Sequence, residues 1–152
     1  MSSITSIVYK PKGSPKTQDH YVRVPVETAA LIAGYGIEGD KKGGHRKRQL
    51  NIMSLEMVEQ LRDEGYKTAP GELGEQIVIA GLDVAALAKG ERLQIGESAC
   101  VEIVGVREPC ERFARIQGKS AASAEGRVGV LAKVITSGTI QVGDEVKVLV
   151  QV

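Results

Sequence analysis

Arg92-Leu93-Gln94-Ile95-Gly96-Glu97, followed after a short polar step by Cys100 to Val106, is the stretch on which the fold turns. It reads as two β-like pieces with a turn signal between them. Leu93-Gln94-Ile95-Gly96-Glu97 is strand, glycine, then acid, the pattern of a hairpin corner in which Gly supplies positive φ. Ile140-Gln141-Val142-Gly143-Asp144-Glu145 repeats it. Working outward, further β-like pieces cover Ile4 to Lys10, Tyr21 to Val26, Gln49 to Met53, Glu75 to Ala80, Val128 to Thr136 and Glu145 to Val150. Pro25 places its segment at a sheet edge or strand end. Polar or glycine-rich loops are expected over Pro11 to His20 and Gly34 to Arg48. One helix is expected from Leu55 to about Glu64, with Ser54 as N-cap, a Leu55/Val58/Leu61 stripe and Gly65 beyond its end. A second, short one is expected from Cys110 to Ile116. Many short strands with few helices predict a mainly β chain, a closed or nearly closed β-barrel, in one domain over residues 1–152.

Composition agrees and narrows the function. The 152 residues suffice for a substantial core, and 42% are hydrophobic, but Trp is absent and Phe113 is the one Phe. Val, Ile, Leu and Ala must therefore build the interior. Twenty basic against nineteen acidic residues leave a net charge of +1, so no global field recruits nucleic acid or a membrane. Sparse aromatics leave little for base stacking. No apolar run approaches the roughly 20 residues of a membrane span, and the first ten residues lack the pattern of a signal peptide. Two cysteines without such a signal predict free thiols in a reducing, cytoplasmic setting. If residues 100 to 106 form one strand, its ends lie roughly 20 Å apart, so unless the chain doubles back Cys100 and Cys110 are too far apart for a disulfide.

Chemistry concentrates in three stretches. Arg107-Glu108-Pro109-Cys110-Glu111-Arg112 sets a thiol after a proline, among cations, where a strand is expected to end. Arg107, Arg112 and Arg115 favour the reactive thiolate, whereas Glu108 and Glu111 oppose it. The plain alternative is a small buried hydrophobe. Gly36 to Arg48 packs five cations and His45 among four glycines. That composition suits a backbone nest for a phosphate or other oxyanion, and equally a solvated basic loop. His45 could act as base, as ligand, as partner of Cys110, or simply be exposed. With His20 as the only other histidine, no histidine-rich metal site can be assembled. Cys110 could still ligate a soft metal carried by an organic cofactor. Pro70-Gly71-Glu72-Leu73-Gly74-Glu75-Gln76 offers two carboxylates near the loop, or only turn chemistry.

Taken in order, these stretches resemble the MOSC family, named for the C-terminal domain of molybdenum-cofactor sulfurase. The resemblance runs from about Val24 to Val148. Gly36 to Asp40 is similar to an early Gly-x-x-Gly-Asp element, and Arg48-Gln49 to the step after it. Pro70 to Gln76 is similar to Pro-Gly-x-x-Gly-Glu-Asn, and Gly90 to Gly96 to Gly-Asp-x-Leu-x-Ile-Gly. Arg107 to Cys110 resembles the cysteine element, and Gly143-Asp144 the closing turn. Gln76 stands where Asn is usual, Glu91 where Asp is common, and His45 lies further beyond Asp40 than in many relatives.

The resemblance implies a β-barrel whose cysteine either carries a persulfide or ligates molybdenum in a molybdenum–pterin cofactor (molybdopterin). Cys110 inherits that role. Arg107, Arg48, Asp40, Lys41, Lys42, Arg46, Glu75 and His45 form the expected surroundings of the cofactor, with Lys41, Lys42, Arg46 and Arg48 suited to a pterin phosphate. Two functions follow. One is a sulfur carrier or transferase, loaded by a cysteine desulfurase and passing sulfur to a metal cofactor or its enzyme, with no pyridoxal phosphate on this chain. The other is an oxidoreductase reducing N-hydroxylated compounds with electrons from a partner. The lone domain tips the sequence toward the carrier. A non-catalytic anion-binding barrel is the third reading.

Overall fold

The computed structural model describes residues 1–17 and 20–149. Gln18, Asp19 and Val150, which fall in the expected N-terminal loop and last strand, lie outside the described residues. In chain order the strands are β1 (Ser2–Tyr9), β2 (Val24–Val26), β3 (Thr28–Ile32), β4 (Gly36–Ile37) and β5 (Leu50–Ser54). Helix α1 (Leu55–Asp63) leads to β6 (Ile77–Ala80), β7 (Arg92–Ile95) and β8 (Ala99–Val106). Helix α2 (Glu111–Gln117) precedes β9 (Val130–Thr136), β10 (Gly138–Gln141) and β11 (Glu145–Leu149).

Seven strands close a barrel in the order β1-β6-β5-β9-β8-β7-β11, sealed where Ser2 and Ser3 of β1 pair with Val146 and Glu145 of β11. The expectation of a closed, mainly β barrel with two short helices is met. The sequence motif at residues 92–106 forms an antiparallel hairpin, with Leu93 opposite Val101 and Ile95 opposite Ala99. Along β7, β8 and β9, Leu93, Ile95, Val101, Ile103, Val130, Ala132 and Val134 face inward and are buried, while Gln94, Glu102 and Lys133 stay on the outer face. This alternation is what a strand with one wet face requires.

β5 differs: all five of its residues are buried. It pairs in parallel with β6, a geometry that needs a crossover connection, and α1 lies in that crossover. A second cluster of Met53, Val58, Leu61, Tyr66, Val78 and Phe113 fills the space between the helices and the outer side of β5 and β6. Ser54 caps α1 as expected, its Oγ accepting from the Met57 N–H.

Three readings are refined. Of Tyr21 to Val26, only Val24–Val26 is strand; it lies against β1 with Pro25 opposite Val8. The loop from Gly34 to Arg48 contains β4, which joins β3 and β10 in a second, three-stranded sheet. The short helix starts at Glu111, with Cys110 as its N-cap. Both cysteines are free thiols. No helix among the described residues is long and apolar enough to cross a membrane.

Candidate functional site: a cationic cleft beside Cys110

β8 ends at Val106, and the chain leaves the barrel through Arg107-Glu108-Pro109 before α2 begins. This exit sets Cys110 on the wall of a cleft of about 320 Å³. Six cations line it: Lys16, Arg23, Lys42, Arg48, Arg107 and Arg112. Glu108 is the one acid, and Tyr21, Leu50, Asn51, Gly74, Gln76 and Leu131 complete the wall.

Arg107 is fixed from several sides. Nη1 donates to the Leu73 carbonyl, Nη2 donates to the Tyr21 hydroxyl at 3.4 Å, and the guanidinium lies 5.5 Å from the centre of the Phe113 ring. Gly74 makes room for it. Its φ is +84°, and a Cβ there would come within 2.7 Å of Arg107 Nη2. Glu75 holds the turn that presents Leu73. Its carboxylate, buried behind the cleft, accepts the N–H groups of Gly71 (2.8 Å) and Leu73 (3.2 Å). Burial pushes the Glu75 carboxyl above its usual range, against the pull of those N–H groups and of Arg107.

Cys110 is exposed. Partial burial alone would raise its thiol pKa. The nearby N–H groups of Phe113 and Arg112 and the charge of Arg107 outweigh that, and the thiol is held below its ordinary value. The opposition between arginines and glutamates in the sequence thus resolves toward the thiolate. Cys100, on β8, is pushed up by burial. A nucleophilic or metal-ligating sulfur has to be a thiolate, and the lowered group is the one facing the cleft.

The cations crowd one another. Arg112 stacks over Tyr21 at 4.7 Å and Arg23 at 5.2 Å, and Nε of each arginine is buried with no hydrogen-bond partner among the described residues. Desolvation, then Arg23 and Arg112, lowers the Lys42 pKa. Lys10, buried next to the cleft, falls to about 8 through desolvation and the charges of Lys41, Arg112, Arg23 and Lys42. Six crowded cations against one acid make the cleft electrostatically suited to an anion.

Of the residues expected around a cofactor, the structure brings Cys110, Arg107, Arg48 and Lys42 together on the cleft. Asp40 and Glu75 are buried supports. Asp40 accepts from the Lys10 backbone N–H at 2.9 Å and from Gln76 Nε2 at 3.1 Å. Lys41 is turned away, its Nζ donating to the Ser14 carbonyl. Arg46 borders a different hollow. His45 is exposed, and its Nδ1 accepts the backbone N–H groups of Lys47 and Arg48 at 3.1 Å each, shaping the loop that delivers Arg48. The sequence reading missed Lys16, Tyr21, Arg23 and Asn51. The first three come from the segment before β2, and nothing in their spacing says that it folds back over the cleft. Among the described residues no group of three or more His, Cys, Asp and Glu could hold a metal ion.

The profile of the MOSC domain matches residues 39–147. No curated protein sequence matches the chain. Among solved structures, the YuaD protein of Bacillus subtilis superposes with a TM-score of 0.78 at 22% identity, over 97% of this chain and 96% of that one. YiiM from Escherichia coli gives 0.72 at 21% identity, over 99% and 71%. YiiM from Geobacillus stearothermophilus gives 0.73 at 19% identity, over 98% and 75%. These likenesses share the barrel. The profile match, which spans most of the chain, shows that the protein belongs to the MOSC domain family.

Proposed function

We propose that the cleft holds a molybdenum–pterin cofactor with Cys110 as the protein's thiolate to the metal, and that the protein is an oxidoreductase acting on N-hydroxylated compounds. The observation that carries this reading is the convergence of six cations, against one acid, on the cleft that Cys110 lines. A phosphate-bearing ligand fits that donor set, because arginine forks bind phosphate oxygens in pairs. Arg23, Lys42, Arg48 and Arg112 would hold the anionic end, while the N–H groups of Phe113 and Arg112 and the charge of Arg107 favour the Cys110 thiolate. Without a cluster of protein ligands, a metal at Cys110 would draw its other ligands from the cofactor. When bound, the cofactor supplies two-electron redox chemistry, and the protein supplies position and field. Electrons would arrive from a partner.

The sequence alone tips toward a persulfide carrier, and the cleft favours the other reading: a carrier needs an exposed thiol, not a cation-lined cavity. The carrier reading keeps one observation in its favour, the exposure and lowered pKa of Cys110, which suit sulfur exchange with a cysteine desulfurase.

The deciding experiment is molybdenum and pterin content per chain, in protein purified from cells that make the cofactor. Wild type should carry both and Cys110→Ala should lose the metal. If neither form holds cofactor, the oxidoreductase reading fails. Incubation with a desulfurase, with mass spectrometry for one added sulfur on Cys110, then tests the carrier.

A further inference from the structure

A second hollow of about 320 Å³ opens on the same flank of the barrel, bordered by Arg46, Lys47, Lys89 and Lys133, with Glu102 as its one acid. It adjoins the cleft through two elements. On β9, Leu131 lines the cleft and Lys133 the hollow; two residues apart, they share a face at a separation of about 7 Å. In the loop before β5, Lys42 and Arg48 turn to the cleft while Arg46 and Lys47 turn to the hollow. The two hollows form one cationic face with Cys110 at one end.

The two hollows differ in build. Arg46, Lys47 and Lys89 are exposed and form no ion pair among the described residues; only Lys133 pairs, with Glu102 at 3.5 Å. Exposed cations on long stems do not grip a small molecule well, but they steer and orient an oppositely charged surface. The charge distribution has the same sense. Cleft and hollow are lined by ten of the twenty Lys and Arg and by two of the nineteen acids, with Asp40 and Glu75 buried behind the cleft. The excess of cations on this face is what a molecule of net charge +1 overall does not announce. Nucleic acid is the poorer match, because no aromatic ring borders the hollow to stack a base.

We propose that the Arg46/Lys47/Lys89/Lys133 face is the docking surface for an acidic protein, seating that partner over the mouth of the Cys110 cleft. The partner's task rests on the functional reading above; the contact itself does not.

Binding of an acidic flavodoxin, as a probe of defined charge, tests the surface by isothermal titration across a salt series. A basic cytochrome c of similar size and a short single-stranded DNA serve as controls. Wild-type affinity for flavodoxin should fall about tenfold or more between low and physiological salt, where the screening length is near 8 Å. The double variant Lys47→Glu/Lys89→Glu, changed only at exposed positions, should bind at least about tenfold more weakly at low salt with an unaltered melting temperature. The proposal is overturned by flavodoxin binding that ignores salt or the double variant, by equal binding of cytochrome c, or by DNA displacing flavodoxin. Molybdenum content of the same samples keeps the two readings apart. Salt-dependent docking by a chain that takes up no metal supports this surface and sinks the cofactor reading. A metal-loaded chain that fails to dock does the reverse.

Discussion

Gln76 Nε2 donates to Asp40 Oδ2 at 3.1 Å, tying the loop after β4 to the turn before β6, with both residues buried. The remaining polar atoms are engaged as well. Asp40 Oδ1 accepts from the Lys10 N–H, and Gln76 Oε1 accepts from the Asn51 N–H at 2.7 Å. Two side chains thereby join β1, the basic loop and β5 directly behind the cleft. Gln76→Leu would strand Asp40 Oδ2 and the Asn51 N–H. An unsatisfied buried group costs about 1–3 kcal/mol, so a loss of about 3 kcal/mol is expected. For a chain of this size that lowers the midpoint of a thermal melt by roughly 10 °C. A change within about 1 kcal/mol would show that the hub is not structural.

Cys110 should alkylate with a pH midpoint below the usual value of about 8.5, and Cys100 above it. Rates of iodoacetamide modification, resolved by peptide mass spectrometry between pH 5 and 10, measure both thiols in one sample. Arg107→Gln removes a cation that favours the thiolate and should move the Cys110 midpoint upward while leaving Cys100 unchanged. Equal midpoints for the two thiols would remove the electrostatic account of Cys110.

Gly74→Ala should damage the site through Arg107. The new methyl enters the space of the guanidinium, at a backbone φ that an L side chain resists. A cost of about 2 kcal/mol is expected, above the usual penalty for such a change because of the added clash. Cys110 reactivity should shift to higher pH together with the loss of stability. Destabilisation with an unchanged pH profile would mean that Arg107 does not act on the thiol.

Lys10 makes the affinity of the cleft pH-dependent. With its pKa lowered to about 8 among Lys41, Arg112, Arg23 and Lys42, and with Asp40 bonded to its backbone, it is a cation at pH 7 and largely neutral by pH 9. A bound anion favours the protonated amine. Affinity for sulfate, whose charge is constant over this range, should therefore be flat below pH 7 and fall as pH rises through 8. Lys10→Met should make that fall shallower, leaving the part that the Cys110 thiol contributes. The same pKa fixes the sign for stability of the free protein: the unfolded lysine holds its proton up to about 10.4, so this group's contribution to folding improves from pH 8 to about 10.4. Calorimetric sulfate titrations at stepped pH decide the matter.

The hairpin at residues 92–106 was legible because its turn residues and its strand pieces say the same thing. α1 was legible from its cap and stripe. β5 is legible as a strand over Gln49 to Met53, but its burial on both faces and its parallel pairing with β6 follow from the crossover rather than from any pattern in the segment. The site divides in the same way. Cys110 and Arg107 sit at the end of a strand that the sequence marks. Lys16, Tyr21 and Arg23 reach the cleft only because the segment before β2 folds back over it. That return depends on Arg112 donating to the Thr17 carbonyl and on Arg23 packing against Gly71. Contacts between residues some 50 to 95 positions apart leave no local periodicity to read.

The barrel is sealed by two residue pairs between β1 and β11, continued by hydrogen bonds of Ile4 with Gly143 and Asp144, which join segments about 140 positions apart. Short, distant pairing of this kind opens at lower free energy than the strands around it. During synthesis it is also the last join that can form. Until β11 is made, β1 and β7 each lack a neighbour there, and unpaired strand edges invite pairing with other chains. Every residue that lines the cleft lies between positions 16 and 131, outside the seam. The nascent chain can therefore build its thiol pocket before its barrel is shut, and hydrogen exchange in the finished protein should find the seam breathing while the pocket floor stays protected.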